Sequence, residues 1–462
     1  MPAGPIVVSL PYGMSARNFL RSRSFDILAA SAPIVVLTPF AADGGFAAEF
    51  ARPGVTFRPY PSLPKVARAL VSVIVDAETL AWARRHHIAS FDIMGRTLAA
   101  GVADPTIRMH AGVFARRSEV LSRRPQVRRW LRERVLPRFV RRPAWEALVA
   151  GSGASLVFLT HPYTIEERAL AIVAEAHGVR RVASIHSWDN ITTKWTLLTR
   201  FQRVLVWNTI MQRDMVELYG YDPREVVVTG IPQLDFVVDD SAFLPRPVFF
   251  RERGLDPARR LITFACGSPD FVPGQTAVIE TICRAIRDDR LAVPSQLMVR
   301  THPGRTLAGV DTLRRYPHVH VDTPSVAYAA IAGRTGWDAS RSDQRGFANL
   351  IRHADVFINC FSTTTIDAAA MDRPIVNIAY DGDETLPYLA SCAKHYDFTH
   401  YAPIVASGGV ALARDHASLL AAIDRYLQNP ALDAAGRARI VHEQCYLLDG
   451  KAGERIADAA LS

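Results

Sequence analysis

The sequence predicts an α/β protein built of two Rossmann-like domains that face a cleft. Three observations predict it. Short β-branched runs alternate with amphipathic stretches along the whole chain, the pattern of parallel sheets with crossover helices. A proline-containing segment without period, around 236–258 ("FVVDDSAFLPRPVFFRERGLDP"), separates two such series and reads as a linker. A chain of 462 residues also exceeds what one ordinary core holds.

In the first series, strands are expected over 5–10, 33–40, 55–60, 155–161, 181–187, 203–208 and 225–230, with helices over 164–177 and 209–219. Residues 64–150 read as a largely helical insertion. In the second series, strands are expected over 260–268, 295–303, 319–324, 356–362 and 374–380. Helices are expected over 274–289, 346–353, 364–371, 415–428 and 431–460. The expected domains are therefore 1–240 and 255–440, with a C-terminal helix in 441–462 that packs back on the first domain. No internal repeat is visible.

Composition narrows the class. With 49% apolar and 21% charged residues the chain reads as a folded globular protein rather than a disordered one. Its apolar runs fall far short of the ~18–20 residues that a membrane-spanning helix needs. The start "MPAGPIVVSLPYG" lacks the basic and apolar regions of a signal peptide, so a cytoplasmic location is expected. Five scattered cysteines form no CxxC pair, which fits a reducing compartment and argues against a zinc site.

Charge is unevenly placed. Of the net +9, much comes from Arg108–Arg142, where twelve arginines meet two acids and apolar residues recur at spacings of three and four. That segment reads either as a solvated arginine face or as a basic amphipathic surface that docks peripherally on anionic membrane. No helix-turn-helix, zinc-finger or RNP-like pattern accompanies it, so nucleic acid is not an expected partner.

In open α/β sheets, ligands bind beyond the carboxyl ends of strands. There is no G-x-G-x-x-G after the first strand, where "SLPYGMSARNF" stands, so a dinucleotide dehydrogenase is disfavoured. The polar residues at the expected strand ends are Tyr12 to Ser15, His161 and the stretch from His186 in the first series. In the second they are Gly267, Ser268, Arg300 to Pro303 and Ser362 to Asp367.

Arg300 and His302 alternate on an extended segment and suit an anionic ligand such as a diphosphate, although His302 also suits a strand cap. The hydroxyls of Ser362, Thr363, Thr364 and Thr365 open a helix whose backbone N–H groups favour an anion. Asp367, a turn further on, suits ribose or glycerol hydroxyls, or is simply a first-turn acid that complements the dipole. Gly267 permits close approach of backbone to ligand. The stretch "SIHSWDNITTKW" (184–195) concentrates His186, Trp188, Asp189, Asn190 and Lys194. Lys194 is one of only four lysines, against fifty arginines.

These motifs carry a resemblance. "FSTTTIDAAAMDRPIVNIAYD" and "RTHP" resemble segments of the CDP-glycerol glycerophosphotransferase family. "VVVTGIPQLD" resembles its TG-x-P-x-x-D, through Thr229, Gly230, Pro232 and Asp235. Trp188 and Lys194 match its W-H-G-x-x-x-K. The resemblance implies a GT-B-like fold and a transferase of surface-polymer biosynthesis, with a nucleotide-activated donor as substrate, no bound cofactor and no metal site.

On that reading the donor is held by Gly267, Ser268, Arg300, His302, Ser362, Thr363, Thr364 and Asp367. The acceptor side is formed by Trp188, Asn190, Lys194 and His161, and the acceptor is a lipid-linked or polysaccharide hydroxyl. Where the family has its basic histidine, this chain has Asp189. Aspartate is an adequate general base, and the change points toward glycosyl transfer, with polyol-phosphate transfer as the alternative. His186 is the competing base and His302 a further catalytic candidate. Asp189 also suits a helix N-cap over Thr192. A nucleotide-sugar 2-epimerase or hydrolase on the same scaffold, and a non-catalytic export subunit, are further alternatives.

Overall fold

A computed structural model describes residues 4–303, 307–327 and 338–462. Seven strands form one sheet: β1 (Ile6–Ser9), β2 (Ile34–Leu37), β3 (Val55–Arg58), β4 (Leu156–Leu159), β5 (Arg180–Ser184), β6 (Arg203–Val206) and β7 (Val226–Val228). All pair in parallel, in the order β3-β2-β1-β4-β5-β6-β7. Parallel strands covered on both faces need continuous apolar runs, and β1 and β4 are buried at every position.

The second sheet contains β8 (Arg260–Ala265), β9 (Ser295–Arg300), β10 (Val319–Asp322), β13 (Val356–Asn359), β14 (Ile375–Ile378) and β15 (Ala411–Ala413). Its order is β10-β9-β8-β13-β14-β15, again parallel. A small antiparallel pair, β11 (Val326–Ala327) with β12 (Asp338–Ala339), stands apart from it. Each large sheet thus has a doubly wound order that reverses once, between β1 and β4 in the first and between β8 and β13 in the second. Such a reversal opens a crevice at the carboxyl ends, because the flanking crossovers leave in opposite directions.

The strands stop one to three residues before the ends expected for them. The residues beyond, such as His161 and Ser187, leave the ladder at the carboxyl edge and line a cavity there. β15 carries no β-branched residue and gave no strand signal in the sequence.

The region expected as one helix over 431–460 is divided. Helix Ala434–Ile440 runs into a π-turn over Val441–Cys445, and the chain then turns at Tyr446 (φ 64°) and Gly450 (φ 73°) before helix Ala452–Leu461. That last helix packs on helix Arg23–Ser31 of the first domain, where Ile456, Ala457 and Ala460 join a core with Phe25 and Phe158. Its N-terminal amides at Ala452 and Gly453 donate to the Asp235 carboxylate at 2.9 and 2.8 Å. The Arg455 guanidinium donates to the Thr229 carbonyl at 2.7 Å. The "TGIPQLD" motif therefore anchors the C-terminal helix, a role its spacing did not reveal.

The helices between Lys65 and Val149 brace both halves of the molecule. Toward the first domain, the Trp195 indole donates to Asp76 (2.8 Å) and the Thr196 amide to Thr79 Oγ1 (2.9 Å). Toward the second, Lys394 forms a fully buried ion pair with Asp104 at 2.9 Å, and the Thr399 amide donates to Ser90 Oγ at 3.0 Å. Phe398 packs among Leu80, Phe91, Ile107 and Val113.

Candidate active site

The two crevices face each other across one cavity of about 620 Å³. The first domain contributes Tyr12 and Arg17 after β1, His161 after β4, and His186, Asp189, Asn190 and Lys194 after β5. The second contributes Cys266 after β8, Arg300 and His302 at β9, and Ser362, Thr363, Thr364 and Asp367 after β13. Most of the donor-side, acceptor-side and catalytic candidates are therefore gathered at one place, and three of these candidates are not among the lining. Gly267 and Ser268 lie in a turn beyond the cavity: the Gly267 carbonyl accepts from Gln275 Nε2 (3.0 Å), and that of Ser268 from the Phe271 and Val272 amides. Because β8 ends at Ala265 rather than 268, Ala265 and Cys266 take the cavity-facing register.

Trp188 is the third. Its buried indole crosses the domain boundary and donates from Nε1 to Thr363 Oγ1 at 3.2 Å. The ring meets His400 edge-on at 4.9 Å and Tyr401 at 5.4 Å. Trp188 thus couples the stretch after β5 to the helix start after β13.

Asp189 precedes a short helix, Asn190–Thr193. Its backbone carbonyl accepts from the Thr192 and Thr193 amides, while its side chain caps no amide of that helix. The carboxylate instead accepts from Asn190 Nδ2 (3.1 Å) and Thr193 Oγ1 (3.0 Å) at the cavity wall. Burial pushes this carboxyl up, yet the Lys194 ammonium, His400 and the hydroxyls of Ser187 and Thr193 outweigh it and hold it below the ordinary aspartate value. Asp189 is consequently ionised at neutral pH and able to accept a proton.

Burial brings the His186 imidazole down to about 4, with Arg17 and Lys194 adding to the shift. His161, its ring 5.4 Å from that of His186, is lowered well below its ordinary value by burial, with His186, Lys194 and Arg168 adding to the shift. His400 is likewise lowered to about 4 by burial. All three rings are neutral at pH 7, so the positive charge on this wall comes from Arg17 and Lys194.

On the opposite wall Ser362, Thr363 and Thr364 face the cavity, and Ser362 Oγ accepts from the Thr364 amide at 3.3 Å. Thr365 turns inward instead, where its hydroxyl meets Tyr401 (2.9 Å) and the side chains of the fully buried Asn359 and Asn377. This polar network fixes the turn from behind.

Arg300, expected to meet a phosphate, is paired within the protein. Its guanidinium is buried and divided between Asp322 (2.6 Å) and Asp343 (2.7 Å), so its charge is neutralised within the protein. His302 stays at the cavity wall. Among the described residues no group of three His, Cys, Asp or Glu side chains is placed to hold a metal ion.

Burial raises the Asp367 carboxyl to about 6, against the pull of Arg17. A carboxyl held above its unfolded value contributes most to stability below about pH 4 and loses that contribution as pH rises through 6. Asp367→Asn is therefore expected to stabilise the protein by about 1–3 kcal/mol at pH 7.5 and by little at pH 4.5. Urea midpoints of the two proteins at both pH values check this, and equal differences at the two pH values overturn it.

Sequence reasoning missed Arg17, one arginine among fifty and inside a turn rather than at a strand end. It also missed His400, which follows a 3₁₀ turn with no strand to point to it.

Comparison with known proteins bears on this site. The CDP-Glycerol:Poly(glycerophosphate) glycerophosphotransferase family matches residues 328–462, which include the Ser362–Asp367 turn and exclude the stretch after β5. The teichoic acid poly(ribitol-phosphate) polymerase of Bacillus spizizenii is 22% identical over 269 residues. That match covers 56% of this chain and only 37% of the polymerase.

Among solved structures, the S. aureus MnaA-UDP co-structure aligns with a TM-score of 0.57 at 11% identity, over 98% of this chain and 94% of that one. An epimerase structure from Listeria monocytogenes, described as a putative UDP-N-acetylglucosamine 2-epimerase, gives 0.56 at 11% identity over 99% and 95%. A glycosyltransferase from Rickettsia africae gives 0.51 at 8% identity over 99% of each chain. These likenesses are of fold. The chain thus has two facing Rossmann-like domains in the GT-B arrangement, and its second domain resembles the CDP-glycerol glycerophosphotransferases.

Proposed function

We propose that this protein transfers a group from a nucleotide-activated donor to a hydroxyl of a surface polymer or glycolipid. One observation carries the reading: a hydroxyl-lined helix start on one wall of the cavity faces an ionised carboxylate with its lysine on the other. The first arrangement suits a phosphate-bearing donor. The second suits an acceptor hydroxyl that must lose its proton, with Asp189 as the base.

The family match and the polymerase relative favour a polyol phosphate as the transferred group. Asp189 favours a second reading, glycosyl transfer, because it departs from the family's histidine. In either case the nucleotide leaves with an added negative charge, which the chain's own positive groups would stabilise without a bound cofactor.

The test is incubation with CDP-, UDP-, GDP- and CMP-linked donors, with and without polyol-phosphate or glycan acceptors, followed by mass spectrometry. Nucleotide release that depends on acceptor is expected. Epimerisation without acceptor, or no nucleotide binding at all, overturns the reading.

No described helix is long and apolar enough to cross a membrane. We read the arginine-rich helices as a peripheral contact with an anionic membrane face, near a lipid-linked acceptor. Helix Pro125–Trp130 buries none of its residues, and Trp130 is 56% exposed beside Arg128 and Arg129. Cosedimentation with phosphatidylglycerol vesicles, lost when Arg123, Arg124, Arg128 and Arg129 become glutamine, tests this contact. Absence of sedimentation by the unmodified protein refutes it.

A further inference from the structure

The sequence puts a phosphate-binding guanidinium at Arg300, and the structure pairs that group within the protein. Asp322 and Asp343 enclose it, and Arg253 also pairs with Asp322 (3.0 Å), so this part of the second-domain wall is close to neutral. Freeing Arg300 for a ligand would strand two buried carboxylates, each costly without its partner.

Arg17 stands at a more suitable point. It belongs to the turn Ala16–Leu20 that follows β1, at the reversal of the first sheet, and lines the cavity from there. Its Nε donates to Oδ1 of the buried Asn18 at 2.9 Å, which sets the plane of the guanidinium. His186 on its own wall and Asp367 on the opposite wall line the same cavity, and the charge of Arg17 is felt at both. The guanidinium therefore shares one cavity with the base cluster and the hydroxyl-lined turn.

We propose that Arg17 is a catalytic residue that contacts the nucleotide phosphate of the donor and stabilises it as it departs. This assignment rests on the transferase reading above. In the step concerned, the acceptor oxygen forms a bond to the donor's carbon or phosphorus and its proton passes to the Asp189 carboxylate. The electron pair of the broken bond stays on the nucleotide phosphate oxygen, which gains one negative charge. A guanidinium offers that oxygen paired donors in a plane, which the single ammonium of Lys194 does not. Loss of one such preorganised donor typically lowers turnover by about 10²–10³-fold.

The experiment uses the full chain with Arg17→Ala and Arg17→Lys. Calorimetric titration with CDP and UDP, and with cytidine and uridine, separates phosphate from base recognition. For Arg17→Ala, affinity for the diphosphate that binds the unmodified protein is expected to fall at least tenfold, with nucleoside affinity unchanged. With the donor that turns over, kcat is expected to fall about 10²–10³-fold and to recover in part on addition of guanidinium ion at millimolar concentration. Arg17→Lys should recover less than half of the lost turnover.

Unchanged diphosphate affinity together with unchanged kcat in Arg17→Ala overturns the proposal, as does a loss that extends equally to nucleosides. If the unmodified protein binds neither nucleotide nor nucleoside, the transferase reading itself has failed, and the two failures are thus distinguished.

Discussion

Asp189→Asn is expected to lower turnover by about 10²–10⁴-fold while leaving donor affinity within twofold. The substitution keeps the size of the side chain and, through its single amide oxygen, one of the two acceptor positions that meet Asn190 and Thr193, while the Asp189 backbone carbonyl still accepts from the Thr192 and Thr193 amides, so the short helix after it should persist. What it removes is the only ionised carboxylate on the first-domain wall of the cavity among the described residues. Asp367 lies on the donor wall, and its raised value makes it a poorer candidate for permanent ionisation.

Steady-state kinetics with the donor that the panel identifies, alongside titration with the corresponding nucleotide, measure the two quantities separately. Because Lys194 and His400 hold the Asp189 carboxyl below its ordinary value, an acidic limb in kcat is expected only well below neutrality. Normal turnover by Asp189→Asn, with loss in His186→Gln, transfers the base to His186.

The second large effect is on stability. Lys394→Met leaves Asp104 buried without its counter-charge, and a loss of about 3–5 kcal/mol is expected. Despite the burial that pushes it up, hydrogen bonding and charge from Lys394 hold the Asp104 carboxyl below the ordinary value. That contribution is present above about pH 4 and is lost as pH falls further. The double variant Asp104→Asn/Lys394→Met should recover most of the loss, because no charge is then stranded. Urea denaturation measures both. Hydrogen exchange should localise the loosening to 89–110 and 392–401, the segments this pair joins. A single variant that loses less than about 1 kcal/mol would show that the pair is hydrated.

The sheets were legible because parallel strands buried on both faces leave apolar runs too continuous to mistake, as in "PIVVSL" and "SLVFLTH". Their carboxyl ends then located the cavity-facing residues, since topology alone places ligands there. What stayed hidden depends on contacts between distant segments. Nothing local in Arg300 announces Asp322 and Asp343 as its partners, and nothing around Trp188 announces Thr363. The role of Asp235 at the C-terminal helix spans more than two hundred residues of chain. Arg17 was obscured for a different reason: in a chain with fifty arginines, one more carries no signal until its position is known.

The seating of helix Ala452–Leu461 on the first domain also bears on how the protein is made. Phe25 and Phe158 reach the ribosome exit long before the helix that completes their core. At about 5–20 residues per second, the residues between β7 and that helix take roughly ten to forty seconds to synthesise. For that interval the nascent first domain presents an uncovered apolar face, the surface on which a holding chaperone would act. Final closure of its core thus waits for the second domain to be translated, and truncations that remove the last helix should aggregate rather than fold.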